Sequence, residues 1–449
     1  MKTTEEQVKK LIPEMLRKSN RHKMKTSELI DAFNKYYDMS EEDKKINNSR
    51  NDTALSQIIR NVVGHQGDAV FNYPGFTLVK QEKAAYFIIN NQKIYETKYD
   101  SDFSRNIVLF GAPGTGKSYR INSDMTRSSK DVNVSKGLRE GLLIGCESNY
   151  ERVTFYKDYS YANFVGTYKP VPYINKDGKS TITYEYVPGP FMRIYVKAIR
   201  SCMNSDYPEP FLLIIEELNR ADAASVFGDM FQLLDRDENG FSEYAVQASE
   251  DIKNYLAKEL GGSPEDYSQI KIPSNMFIWA TMNSADQGVF PMDTAFKRRW
   301  DFEYLGIDDN DKELHGKYVY LADDKSQKVE WNNLRKAINS FLEKEGINED
   351  KQIGPYFISR NIVVPENGDE IDRDEFIRTF KNKVIMYLFE DAARSKRARI
   401  FDGISKDDLR YSKICDEFDK KGINIFNKNI KDDCKLESLT KINNDVEEI

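Results

Sequence analysis

The run Asn106-Ile-Val-Leu-Phe-Gly111-Ala112-Pro113-Gly114-Thr115-Gly116-Lys117-Ser118-Tyr119 limits the fold more than any other stretch of the chain. An apolar strand stops at a glycine, and a loop of small residues leads to Gly-Lys-Ser, the pattern GxxxxGK[ST]. Glycines at these places let backbone N–H groups curl around an anion where a side chain would collide. A helix starting near Gly116 would turn its positive end on the same anion. The spacing predicts a strand, loop and helix in which Gly111 to Tyr119 bind a nucleotide. Lys117 would reach the β- and γ-phosphates, and the Ser118 hydroxyl would ligate Mg2+. Such a unit belongs in an α/β fold with a parallel sheet.

Two more apolar runs end in residues with chemistry to offer. Phe211-Leu-Leu-Ile-Ile215 stops at Glu216-Glu217. A buried strand delivering two acids at its C-terminal end suits phosphate hydrolysis, with Glu216 as the Mg2+ ligand (usually through water) and Glu217 as the general base. Aspartate is usual at the first position, and the longer glutamate moves the carboxylate outward. The second run, Asn275 to Asn283, ends in an amide. A strand lying between the other two would put Asn283 where it can orient the attacking water. Downstream, Asp293-Thr-Ala-Phe-Lys297-Arg298-Arg299-Trp300 reads as a helix closing on three cations. A helix C-terminus favours cations for ordinary electrostatic reasons. The functional alternative is an arginine finger, Arg298 or Arg299, reaching a neighbouring subunit's γ-phosphate, where such a charge is worth ~10³–10⁵ in rate.

Around this centre the chain divides by composition into 1–95, a polar linker 96–105, an alternating strand and helix region 106–307, and a helical region with a charged tail, 308–449. In the first segment, Thr3-Thr4-Glu5-Glu6 opens a helix. Further helices are expected over Thr26–Tyr37 and Asp52–Val63, followed by short β runs at Ala69–Phe71, Phe76–Val79 and Ala85–Ile89. Three helices and a small hairpin follow the order of a winged helix, whose third helix commonly enters the DNA major groove. Arg50, Asn51, Arg60, Asn61 and His65 flank that helix, and Arg17 to Lys25 is the most basic loop. The alternative is a protein-docking module. The net charge of −7 restricts any nucleic-acid contact to a local patch. Four scattered cysteines and three scattered histidines argue against a disulfide framework and a histidine metal site. No run approaches ~18 apolar residues, so a soluble, cytoplasmic protein without membrane contact is expected.

Together these segments resemble the McrB family of AAA+ proteins, the motor subunits of modification-dependent restriction systems. The likeness covers about Asn106–Phe302. Beyond the glycine loop and the paired acids it rests on Arg152-Val-Thr-Phe-Tyr-Lys-Asp-Tyr-Ser-Tyr-Ala-Asn-Phe164, Tyr186-Val-Pro-Gly-Pro-Phe191, Glu216-Glu-Leu-Asn-Arg-Ala221 and Met282-Asn-Ser-Ala-Asp286-Gln287. The last looks like the family's MNxxDR signature. The resemblance implies a P-loop core of parallel sheet flanked by helices, a C-terminal helical lid and a variable N-terminal module that recognises double-stranded DNA. It also implies a hexameric ring of copies, hydrolysis of GTP or of ATP with Mg2+, and a separate McrC-like nuclease subunit. By the same resemblance Arg298 takes the finger position and Arg299 is its neighbour. This chain departs from the pattern at Glu216, at Gln287 in place of the signature arginine, and at Lys297-Arg-Arg-Trp300 in place of RRRF. Gln352-Ile-Gly-Pro-Tyr-Phe357 echoes a C-terminal motif, and Arg394 to Arg399 holds the candidates for a second, lid-borne sensor. The most tempting match to a nuclease triplet is Glu96-Thr-Lys98, without the acid that should precede it, so cutting is expected to reside in another polypeptide. Two other classes stay open: a MoxR-like or dynein-related remodeller of protein clients, and a nucleotide-switched DNA-binding regulator.

Overall fold

The computed structural model describes residues 3–434 except 20, 22, 48–51, 74–75, 82–83, 90–96, 129–139, 175–177, 206, 262, 284–288 and 323–324. His22, Arg50, Asn51, Glu96, Asp286 and Gln287, with the charged tail beyond 434, therefore lie outside the described residues.

The N-terminal segment forms α1 (Glu5–Lys18), β1 (Lys23–Lys25), α2 (Thr26–Tyr36), a short ribbon of β2 (Ile46–Asn47) and β3 (Asp52–Thr53), then α3 (Ala54–Gly64), β4 (Val70–Tyr73), β5 (Phe76–Gln81) and β6 (Ala84–Ile89). α1 starts from a reciprocal cap. Thr4 N–H donates to Gln7 Oε1 at 2.8 Å and Gln7 N–H to Thr4 Oγ1 at 3.3 Å. The helices bury Val8, Ile12, Leu29, Phe33, Leu55 and Ile59, the apolar positions that their periodicity picks out. The strands make an antiparallel sheet in the order β1-β6-β5-β4. The segment thus holds three helices and one four-stranded antiparallel sheet among its described residues.

The alternating region follows with β7 (Asn106–Gly111), α4 (Lys117–Thr126), β8 (Tyr150–Thr154), α5 (Tyr161–Phe164), β9 (Gly166–Ile174), β10 (Ser180–Pro188), α6 (Pro190–Asn204), β11 (Phe211–Glu216), α7 (Ala223–Phe227), β12 (Val246–Gln247), α8 (Glu250–Leu260), β13 (Gln269–Ile270), β14 (Met276–Asn283), α9 (Thr294–Lys297) and β15 (Asp301–Tyr304). Its five-stranded sheet runs β15-β7-β14-β11-β8, and β11 is parallel to both of its neighbours. Every residue of β11 before Glu216 is buried, as are the first six of β14, which is how strands covered on both faces read. β14 thus stands between the strand of the glycine loop and the strand of the paired acids. Outside this sheet, β9 and β10 form a long hairpin whose directly paired residues Tyr168 and Tyr186, Pro170 and Tyr184, and Pro172 and Ile182 share one face.

By internal contacts the chain falls into two compact units. One comprises Met1–Ile107, Ser123–Ala280 and Val289–Asp301, the other Val108–Asn122, Thr281–Gly288 and Phe302–Ile449. In the second unit, β16 (Tyr318–Tyr320), β17 (Lys328–Glu330) and α10 (Trp331–Lys344) lead into helices over Arg373–Thr379, Tyr411–Lys421 and Lys428–Asp433. Trp331, Phe376, Phe380, Phe418 and Phe426 pack edge and face within its apolar core.

Candidate active site

The glycine loop and its surroundings belong to the second unit. Lys117 is buried, and its ammonium donates to the carbonyls of Gly111 and Ala112 at 3.0 Å each, which seats the charge inside the loop's curve. Thr115 Oγ1 donates to Ala112 O at 3.0 Å and closes the turn. Ser118 and Tyr119 are exposed on the first turn of α4. A second chain segment fastens the loop from outside. Gly354 N–H donates to Pro113 O at 3.0 Å, Tyr356 N–H to Gly114 O at 2.9 Å, and Asn310 Nδ2 to Thr115 O at 2.8 Å. The approach is so close that only glycine fits. Gly114 sits at φ +80°, and a Cβ there would lie 2.4 Å from Phe357 N; a Cβ on Gly354 would lie 2.4 Å from the carbonyl carbon of Gly114. Burial pushes the Tyr356 phenol up to about 12, beside Glu313, to which it donates at 3.3 Å.

The acids and the cationic turn belong to the first unit. Glu216 ends β11, and its carboxylate bonds the guanidinium of Arg152, two residues before its register partner Thr154 on β8. Glu217 follows in the left-handed region at φ 59° and ψ 48°, one of two described non-glycine residues with positive φ. That conformation costs a side-chain-bearing residue roughly 1–3 kcal/mol and is retained where surrounding structure over-determines it. Here Phe155 N–H donates to Glu216 O at 2.9 Å and Arg220 N–H to Glu217 O at 2.9 Å, while Arg220 Nε reaches Glu217 Oε2 at 3.3 Å. Asn283 is the last residue of β14 and half-buried. Arg298 and Arg299 part company. Arg298 is exposed, whereas Arg299 is buried, with Nε donating to Asp235 Oδ2 at 2.9 Å, Nη1 to Ala295 O at 2.9 Å and Nη2 to Gln232 Oε1 at 3.2 Å.

Residues 106–300 match the model of the AAA domain (dynein-related subfamily). Over 346 residues the chain is 39% identical to the type II restriction enzyme BsuMI component YdiS of Bacillus subtilis, spanning 73% of this chain and 89% of that protein. The chain belongs to the McrB-like AAA+ proteins. It is also 28% identical over 225 residues to the type IV methyl-directed restriction enzyme EcoKMcrB subunit of Escherichia coli, covering 48% of this chain and 39% of that one. A crystal structure from Cytophaga hutchinsonii, 11% identical, covers 61% of this chain and 74% of its own at a TM-score of 0.23, too low to carry an argument. The AAA+ region is the part of the chain that holds both the glycine loop and the paired acids.

Three residues emerge from the structure of this McrB-like chain that sequence reasoning did not assign. Arg152, inside a family-like segment, is the partner of Glu216. Arg335 of α10 is fully buried and bonds Asp308 at 2.7 Å and the carbonyl of Ile353 at 3.2 Å, while Asn339 brackets Ile353 from both backbone sides at 2.8 and 2.9 Å. Arg335 and Asn339 thereby hold the residue from which the segment over the glycine loop departs. Both sit one α-helical turn apart on the same face, a spacing that reads as an ordinary polar stripe until the partner is known. Of the candidates for a lid sensor, Arg397 pairs with Glu390 and Arg399 with Glu345. Nothing in these contacts distinguishes either as a nucleotide contact.

Proposed function

We propose that this chain is a nucleoside triphosphatase that hydrolyses GTP or ATP at the interfaces of a hexameric ring and serves as the motor subunit of a restriction-type defence system with a separate nuclease subunit. The observation that carries it is the pair of acids at the end of the buried strand β11, with Glu217 held in a left-handed turn, in a chain that also carries the glycine loop. Backbone N–H groups of Gly111 to Ser118 and the Lys117 ammonium bind the phosphates. Ser118 and Glu216 carry the hydroxyl and carboxylate oxygens that a hard cation takes and would hold Mg2+, which would supply neutralisation of phosphate charge. Glu217 accepts the proton of the attacking water as its oxygen bonds to the γ-phosphorus, and the bond to the bridging oxygen breaks, releasing the diphosphate. Asn283 aligns that water. Arg298 of the adjacent subunit stabilises the charge gathering on the transferred group.

The N-terminal module is proposed to recognise double-stranded DNA. One observation favours a protein client instead: Arg21 pairs with Glu28, Arg60 with Asp52, and His65 bonds Glu5, so carboxylates already occupy these candidate DNA contacts. Steady-state hydrolysis of GTP and of ATP, with and without duplex DNA, separates these readings. Turnover stimulated by DNA, with binding that weakens steeply with salt, supports the restriction motor. Turnover unaffected by DNA, without a salt slope, overturns DNA recognition and leaves the remodeller.

A further inference from the structure

The turn that carries the exposed Arg298 is packed through its buried neighbours Phe296, Arg299 and Trp300. Asp293 caps α9 through Phe296 N–H at 2.6 Å. Phe296 stacks on Phe231 and Trp300 with centroids 5.4 and 5.7 Å away, and the Arg299 guanidinium lies 4.0 Å over the Phe231 ring. Two polar anchors then tie the turn to distant parts of the chain. Asp235 holds the Arg299 side chain, of which only 3% is exposed. Asn106, the buried first residue of β7, donates from Nδ2 to Arg299 O at 3.1 Å and to Leu234 O at 2.8 Å. Its Oδ1 accepts from Arg236 at 3.4 Å, and Arg236 also donates to the carbonyls of Gly240 and Met276 at 3.2 and 3.1 Å.

We propose that Asn106 and Asp235 are positioning residues for the finger, fixing Arg298 toward the neighbouring subunit's nucleotide through the carbonyl and the guanidinium of Arg299. The proposal rests on the finger reading above. Asn106 opens the strand that leads to a subunit's own glycine loop, so the competing expectation is an effect on that subunit's own nucleotide. The two act in opposite directions across an interface. A displacement of about 1 Å at a reacting group lowers rate by about a hundredfold. Loss of either anchor should therefore lower kcat tenfold to a hundredfold, with KM within about twofold and nucleotide affinity unchanged.

Subunit mixing decides it. Glu217→Gln subunits lack the base but keep their fingers; finger-deficient subunits keep the base. Mixed with Glu217→Gln, Arg298→Ala should regain turnover at interfaces pairing a sound base with a sound finger. Asn106→Ala and Asp235→Asn should regain it in the same way, and Asp235→Glu should retain more activity alone than Asp235→Asn. If Arg298→Ala is complemented and the anchor variants are not, this proposal falls while the finger reading stands. If Arg298→Ala itself is not complemented, the finger reading falls. Should Asn106→Ala fail to fold, Asp235→Asn and Asp235→Glu carry the same test from the other anchor.

Discussion

Two loops of this molecule carry the proposed chemistry, and they are held in opposite ways. The glycine loop is fastened chiefly by backbone: the carbonyls of Pro113 and Gly114 accept from the N–H groups of Gly354 and Tyr356, and one side chain, the Asn310 amide, adds a bond to Thr115 O. The finger turn is fastened by side chains, Asn106 and Asp235, with aromatic rings filling the space between. Backbone fastening demands that side chains be absent, so it writes glycines into the sequence at Gly114 and Gly354. Side-chain fastening demands two particular residues far off in the chain, 193 and 64 positions from Arg299, and leaves no local mark. A loop proposed to admit a phosphate against bare N–H groups suits the first device; a charge proposed to be displayed outward suits the second.

That contrast can be broken most severely at Arg298. Arg298→Ala should lower kcat by about 10³-fold or more with nucleotide affinity unchanged, read by steady-state kinetics beside equilibrium binding of a fluorescent nucleotide. Its thermal stability should match the wild type, since the residue is exposed. The adjacent Arg299→Ala should do the reverse in stability, losing about 3–5 kcal/mol in denaturant unfolding because Asp235 is left without its buried partner. If the two variants unfold alike, the distinction between the displayed and the anchored arginine is wrong.

On the glycine-loop side, Gly354→Ala drives a Cβ against the Gly114 carbonyl carbon and should weaken nucleotide binding by about tenfold to a hundredfold, equivalent to about 1.4–2.8 kcal/mol. Asn339→Ala leaves the backbone of Ile353 short of two bonds and loosens the same segment indirectly. A smaller loss of affinity, about threefold to tenfold, is expected, with a fall in the stability of the second unit of about 1–3 kcal/mol. Equal effects from both would mean that the segment acts on the loop only as part of the fold.

What the sequence made legible follows the same division. The glycine loop, the apolar strands and the acids at Glu216 and Glu217 could be read because each is a short contiguous pattern whose physics is local. The order β7-β14-β11, which sets Asn283 on a strand between the other two, was also expected from the pattern of the three runs. Arg152, Asn106, Asp235, Arg335 and Asn339 were not, because their roles come from partners brought close only by the fold. Nor did periodicity announce the β9–β10 hairpin: its apolar face alternates as a strand should, but Pro170 and Pro172 in β9 break the usual strand composition. The left-handed turn at Glu217 was equally hidden, since a glutamate at positive φ has no sequence signal.

The central claim is that Glu217 is the base of a nucleotide-hydrolysing site. Glu217→Gln keeps the side chain's size and the backbone turn while removing its ability to take a proton. Single-turnover hydrolysis by this variant, with bound nucleotide measured in the same sample, tests the claim most directly. The account predicts nucleotide bound as tightly as by the wild type and cleavage slowed by at least ~10²–10⁴-fold. Cleavage at the wild-type rate would contradict it and remove Glu217 from its place in the mechanism.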